Sequence, residues 1–123
     1  MHFVDAERGW AVGHGGTVLA TSNGGRTWSV RDASATAALW GVDFIDAERG
    51  WAVGDGGTVL ATTDGGRSWT AQSTATNEAL LSVDFVDVAH GWAVGDDGTV
   101  VATSDGGRNW SVRDAGTPAA LWG

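Results

Sequence analysis

A 41-residue period governs this chain. Trp10, Trp51 and Trp92 recur at that interval, as do Phe3, Phe44 and Phe85, and Trp28, Trp69 and Trp110. The 123 residues are read as one segment of three copies, 1–41, 42–82 and 83–123. Aligned without gaps, the first copy matches the second at 23 of 41 positions and the third at 28, and 18 positions are identical in all three. A period of this size marks a solenoid or a propeller, in which each unit buries its apolar face only against its neighbours.

Within the middle copy, Leu39-Trp40-Gly41-Val42-Asp43-Phe44-Ile45 reads as a strand rich in β-branched and aromatic residues. Asp46 to Arg49 is a polar turn, Gly50 to Gly54 a second strand, Asp55-Gly56-Gly57 a hairpin turn and Thr58 to Thr63 a third strand. Asp64 to Arg67 turns the chain again into a fourth strand, Trp69 to Ser73. Asp-Gly pairs suit such turns because glycine takes positive φ without a Cβ clash. No stretch keeps an amphipathic helical period over three turns, and the Ala-rich run Ala33 to Leu39 is read as a loop. The second and third strands are apolar on both faces, which calls for sheets covered on both sides. Four short antiparallel strands per ~40 residues predict an all-β propeller of four-stranded antiparallel blades, three per chain. A β-solenoid is the competing fold, but its shorter rungs would not need a hairpin in every copy.

Composition narrows the function. The absence of Cys excludes a disulfide framework and any Cys-based zinc or redox site. A net charge of −8 excludes a nucleic-acid-backbone binder, which needs a basic face. No apolar run reaches the ~20 residues of a membrane span, and the N-terminus lacks a signal-peptide pattern. A soluble chain with no membrane insertion is expected, its compartment left open. His2, His14 and His90 fall at different positions of the repeat, which predicts solvated turn residues rather than a metal triad. The Ser residues belong to turn motifs and form no Ser-His-Asp set. Asp55-Gly56-Gly57 and Asp96-Asp97-Gly98 are read as hairpins, because calcium solenoids repeat their turns about every nine residues. No metal and no cofactor are expected.

The third turn of each copy carries a motif. Thr21-Ser22-Asn23-Gly24-Gly25-Arg26-Thr27-Trp28, Thr62-Thr63-Asp64-Gly65-Gly66-Arg67-Ser68-Trp69 and Thr103-Ser104-Asp105-Gly106-Gly107-Arg108-Asn109-Trp110 resemble the Asp-box. The middle copy fits best, while Asn23 and Asn109 depart from the usual Asp and Ser or Thr. Together with Gly-Trp-Ala-Val-Gly and Gly-Thr-Val-Leu-Ala-Thr, the whole chain resembles the photosystem II assembly factor family of Asp-box (BNR-like) propellers. Physically the motif is a turn. Asn23, Asp64 and Asp105 are expected to accept hydrogen bonds from backbone N–H groups two or three residues on. Gly25, Gly66 and Gly107 are expected to take the unusual backbone angles, with Trp28, Trp69 and Trp110 packed beneath. A structural role is expected for all nine, rather than a calcium or sugar site.

Asp-box propellers include sialidases, which use a Tyr nucleophile, and this chain has no Tyr. Near-identical blades also do not supply the convergence of different groups that catalysis needs. A non-enzymatic protein is expected. Arg26, Arg67 and Arg108 are identical in every copy and would form a ring on one rim. They serve either an acidic partner or local pairs, with Asp5, Asp46 and Asp87 or with a neighbouring turn carboxylate, and local pairing is the favoured reading. The resemblance implies docking onto partner proteins.

The resemblance also implies a closed ring of more blades. An open arc of three leaves apolar faces and unpaired edges in water. Closure by copies of the chain is expected, with six blades as a homodimer or nine as a homotrimer. These need ~60° or ~40° per blade, against ~51° in a seven-bladed ring. The dimer is favoured, because two-fold oligomers are commonest and joining two chains loses less freedom than joining three. Leu121-Trp122-Gly123 match the first half of the strand beginning at Leu39, and Met1-His2-Phe3-Val4 match its second half. One strand is therefore expected to be split across the termini, with Phe3, Val4, Leu121, Trp122 and Gly123 closing the junction between chains. Met1 and His2 stand where the other copies have Val-Asp, as in a repeat fragment engineered or excised to assemble. A non-catalytic self-assembling scaffold is the first expectation, a protein-binding scaffold the second and carbohydrate binding the third.

Overall fold

Strand formation follows the repeat. In the computed structural model, which describes residues 2–32, 38–72, 76, 78–96 and 99–114, each copy builds one four-stranded antiparallel sheet with its strands in chain order. Blade 1 holds β1 (His2–Phe3), β2 (Gly9–Val12), β3 (Thr17–Thr21) and β4 (Ser29–Asp32). Blade 2 holds β5 (Leu39–Phe44), β6 (Gly50–Gly54), β7 (Thr58–Thr62) and β8 (Thr70–Gln72). Blade 3 holds β9 (Leu80–Phe85), β10 (Gly91–Gly95), β11 (Thr99–Thr103) and β12 (Ser111–Asp114). The hairpin before β7 is a single 3-10 turn over Asp55–Gly57, with Gly56 and Gly57 at φ 67° and 73°. Among the described residues there is no α-helix, and no helix long and apolar enough to cross a membrane.

Several boundaries differ from expectation for one reason. β7 stops at Thr62 because that hydroxyl is engaged in the following turn, and β8 starts after Trp69 because the indole Nε1 donates to Gly66 O at 2.9 Å. Thr63 and Trp69, expected at strand ends, thus belong to the turn rather than to a strand. Residues 33–37 and 73, and Leu121, Trp122 and Gly123 of the expected junction, lie outside the described residues. β1 spans two residues where β5 and β9 span six, and Val4 packs against the core between blades 1 and 2.

The core lies between blades. Trp10 and Val18 of blade 1 pack with Leu39, Phe44, Leu60 and Trp69 of blade 2. Trp51, Val53 and Val59 of blade 2 pack with Leu80, Phe85 and Trp110 of blade 3. Burial of each such side chain contributes about 1.5–3 kcal/mol. The first strand of each blade lies against the first strand of the next. There Asp43, buried, accepts the Phe85 N–H at 2.7 Å, and its desolvation raises its pKa. The expectation of three solvated turn histidines is corrected for His2. It lies in β1, half-buried, with Nε2 2.9 Å from Phe44 O and Nδ1 3.4 Å from Asp43.

Candidate functional site

The Asp-box turns form the rim of the blades. Thr62 Oγ1 donates to Asp64 Oδ1 at 2.8 Å and accepts from Gly66 N–H at 3.0 Å. Asp64 Oδ1 also accepts the Ser68 N–H at 2.9 Å, and Oδ2 accepts the Ser68 hydroxyl. Thr103, Asp105 and Asn109 repeat the arrangement. In the first copy Asn23 preserves it, with Oδ1 accepting the Thr27 N–H and Nδ2 donating to Thr27 Oγ1. The stronger N–H partner lies four residues on, one beyond the expected two or three, because Gly65 and Gly66 at φ 76° and 90° widen the loop, while the Arg67 N–H three residues on contributes more weakly. Trp69 and Trp110 are buried beneath their turns, and Trp28 is half-buried.

Hydrogen bonds from the Ser68 side chain, the Ser68 N–H and the Thr62 hydroxyl hold the Asp64 carboxyl at about 2, against an ordinary 3.8. The Asn109 side chain, its N–H and the Thr103 hydroxyl do the same for Asp105, also at about 2. Each lowers the pKa because it favours the charged form. Both carboxylates stay ionised near neutral pH and are matched to neither general acid nor general base work there. Among the described residues no group of three or more His, Asp or Glu could hold a metal ion.

Of the two local pairings expected for Arg26, Arg67 and Arg108, the one with Asp5, Asp46 and Asp87 is corrected, whereas Arg108 does act on a neighbouring turn carboxylate, its charge helping to lower the pKa of Asp105. Asp5, Asp46 and Asp87 are held within their own corner turns. Asp46 Oδ1 accepts the Glu48 and Arg49 N–H groups at 2.8 Å, and its Oδ2 lies 3.0 Å from Arg49 Nη2. Asp5 pairs with Arg8 and Asp87 with His90 in the same way, three residues on. The corner turn thus consumes these carboxylates locally. Arg26, Arg67 and Arg108 stand exposed.

Two of these arginines line clefts between blades. A cavity of about 450 Å³ between blades 1 and 2 is lined by Arg8, Trp10, Asp64 and Arg67. A cavity of about 510 Å³ between blades 2 and 3 is lined by the equivalent residues Arg49, Trp51, Asp105 and Arg108. Each cleft therefore brings together an arginine from the corner turn of one blade and one from the Asp-box of the next, with an ionised Asp-box carboxylate beside them. The second cleft also takes in Gln72, whose buried Oε1 has no hydrogen-bond partner. Sequence reasoning missed Arg8 and Arg49. Their recurrence at one repeat position was the available signal, but the third copy has His90 there. Paired guanidinium groups suit recognition of carboxylates.

The family model described as photosynthesis system II assembly factor YCF48 matches residues 1–73 and 69–121. The chain belongs to this family. Among solved structures it is similar to YCF48 bound to D1 peptide, at 27% identity and a TM-score of 0.84, covering 97% of this chain and 40% of that one. It is also similar to YCF48 from Cyanidioschyzon merolae, at 28% identity and a TM-score of 0.76, covering 90% of this chain and 38% of that one. The chain thus spans 40% or less of the length of these YCF48 structures. An ancestral GH74 enzyme, 17% identical with a TM-score of 0.67 over 87% of this chain and 17% of that one, shares the fold alone. No curated protein matches the chain significantly. Membership of the YCF48 family bears out the resemblance and the reading of the sheets as propeller blades.

Proposed function

We propose that this chain is a non-catalytic scaffold that holds an acidic peptide segment in its inter-blade clefts. The observation that carries this reading is the repetition of one cleft at two blade boundaries, each with a pair of arginines, Arg8 with Arg67 and Arg49 with Arg108. An extended peptide crossing adjacent clefts would present carboxylates to successive pairs. Against a net charge of −8 the pairs act as local anchors rather than as a long-range attractive field. The YCF48 structure bound to D1 peptide supports a peptide as the class of partner.

The test is fluorescence anisotropy of a labelled D1 peptide titrated with the wild-type chain, with Arg67→Glu and with Arg108→Glu. Charge-assisted hydrogen bonds contribute about 1.5–3 kcal/mol each, so each substitution is expected to weaken binding at least tenfold. Undiminished affinity in the double variant, with its far-UV circular dichroism intact, would sink the reading.

A further inference from the structure

The two inter-blade clefts share their arginines and differ in the rest of their walls. Each is built from two blades present in the structure, blades 1 and 2 for the first and blades 2 and 3 for the second. In the first, the corner turn of blade 2 contributes Ala47 and Glu48. In the second, the corner turn of blade 3 contributes Val88 and Ala89 at the same repeat positions. Val88 is 47% exposed, an aliphatic side chain on the cleft wall where its counterpart is a methyl group. Among the described lining residues, Arg8 and Arg67 against Glu48 and Asp64 give a formal charge of zero, whereas Arg49 and Arg108 against Asp105 give +1. Asp5 and Asp46 hold Arg8 and Arg49 alike, so the corner-turn ion pairs do not account for the difference.

Gln72 sets the second cleft apart again. It stands where the other copies have Arg31 and Arg113, and so brings an acceptor to a repeat position that otherwise holds only donors. Its Oε1 reaches the Asp-box of blade 3, 3.2 Å from where a Cβ on Gly107 would sit. The Trp51 Nε1 beside that same position donates to Gly106 O instead. Oε1 is thus buried with no hydrogen-bond partner among the described residues. A buried acceptor in that state favours a ligand that donates to it.

We infer that the cleft between blades 2 and 3 selects, within an extended partner peptide, an acidic residue with an aliphatic residue two positions away. In an extended segment those two side chains fall on the same face. The carboxylate meets Arg49 and Arg108, the aliphatic group packs on Val88 beside Ala89, and a main-chain N–H donates to Gln72 Oε1. The first cleft also anchors a carboxylate, but Glu48 stands there in place of Ala89 and Ala47 in place of Val88, so it holds a singly charged segment more weakly and offers no aliphatic wall. A peptide is the occupant because the second cleft joins a net positive lining, an apolar wall and an unpartnered acceptor. One extended segment supplies a carboxylate, an aliphatic side chain and an N–H together, whereas an inorganic anion supplies only the charge. This inference rests on the acidic-peptide reading above and names the sequence that reading leaves open.

Fluorescence anisotropy tests it on the 123-residue chain with two labelled synthetic peptides, each a Gly-Ser segment holding one Glu and, two positions away, either Leu or Ser. The Leu peptide is expected to bind roughly five- to tenfold more tightly than the Ser peptide, and Val88→Ala to remove that preference. Arg108→Glu is expected to weaken the Leu peptide more than Arg67→Glu does, and Gln72→Leu to weaken it roughly fivefold. Equal affinity for the two peptides, or equal losses from Arg67→Glu and Arg108→Glu, overturns the inference. Unchanged affinity in Gln72→Leu overturns the acceptor role. Should Arg108→Glu or Gln72→Leu lose far-UV circular dichroism, Ala89→Glu reads the same cleft, since the equivalent turn already holds Glu48. It is expected to weaken the Leu peptide roughly threefold or more, and unchanged affinity again overturns the inference. Failure of the Leu peptide alongside binding of the D1 peptide overturns this inference alone, whereas no binding of any of the three overturns it together with the acidic-peptide reading.

Discussion

Trp10 and Phe44 lie face to face across the boundary between blades 1 and 2, with ring centroids 3.6 Å apart and planes within 5°. Phe44 also covers Gly50, its partner on the neighbouring strand, where a Cβ would sit 2.5 Å from the ring. The glycine leaves the space that lets the phenyl ring lie flat on its own sheet. That flat ring is then the surface on which the next indole stacks. Three residue types at repeat-fixed positions, Gly, Phe and Trp, thereby convert a sheet face into a blade–blade contact.

Because Trp69 is buried beneath its turn and edge-on to Phe44, Trp69→Ala is expected to cost about 3–5 kcal/mol. Trp28→Ala, at the half-buried equivalent in blade 1, is expected to cost less. Chemical denaturation of the two variants gives the comparison. A loss below about 1 kcal/mol at Trp69 would contradict the packing described.

Gly54 and Gly56 are two residues apart and fail for different reasons. Gly54 has an extended backbone that any residue adopts, but a Cβ there would lie 2.0 Å from Ala38 O. Backbone must move, so Gly54→Ala is expected to cost about 1–3 kcal/mol. Gly56 sits at φ 67° with nothing within 4 Å of the Cβ position. Gly56→Ala therefore carries only the left-handed conformational cost, roughly 1–2 kcal/mol, and Gly56→Asn less. Thermal unfolding of all three variants separates steric from conformational cost.

The lowered carboxylates predict acid sensitivity. Asp64 and Asp105 stand at about 2 when folded, against an ordinary 3.8. The unfolded chain therefore takes up their protons first as pH falls. The stability they supply is fully present above about pH 4 and is lost as pH falls toward about 2. Asp43 has the opposite sign, since burial raises its pKa, and it partly offsets the loss. Urea midpoints measured from pH 6 to pH 2 are expected to fall mainly below pH 4. In Asp64→Asn the drop should be shallower, because an Asn at the equivalent position 23 keeps the turn geometry. An equally steep fall in that variant would assign the acid sensitivity elsewhere.

The strands and turns were legible in the sequence almost to the residue. β6 spans Gly50–Gly54 as read, and the Asp55-Gly56-Gly57 hairpin forms with both glycines at positive φ. These features depend on φ/ψ preferences and on side chains only a few residues away, and the 41-residue recurrence reports them three times. The errors were local as well. Trp69 was read into a strand that begins at Thr70, because the turn holds its indole. The Asp-box acceptor reaches four residues on because paired positive-φ glycines enlarge the loop.

The pairing of groups across blades was not legible. That Trp10 donates to Gly65, that Arg8 shares a cleft with Arg67, and that His2 reaches Asp43 all follow from how one sheet is set against the next. That orientation arises from sheet twist and from Phe rings lying over glycines, neither of which a spacing pattern encodes. The sequence by itself determined the repeat, the four-stranded unit and the turn chemistry, because these are short-range. Only the tertiary structure decided which residues meet across a blade boundary, because those contacts join positions far apart in the chain.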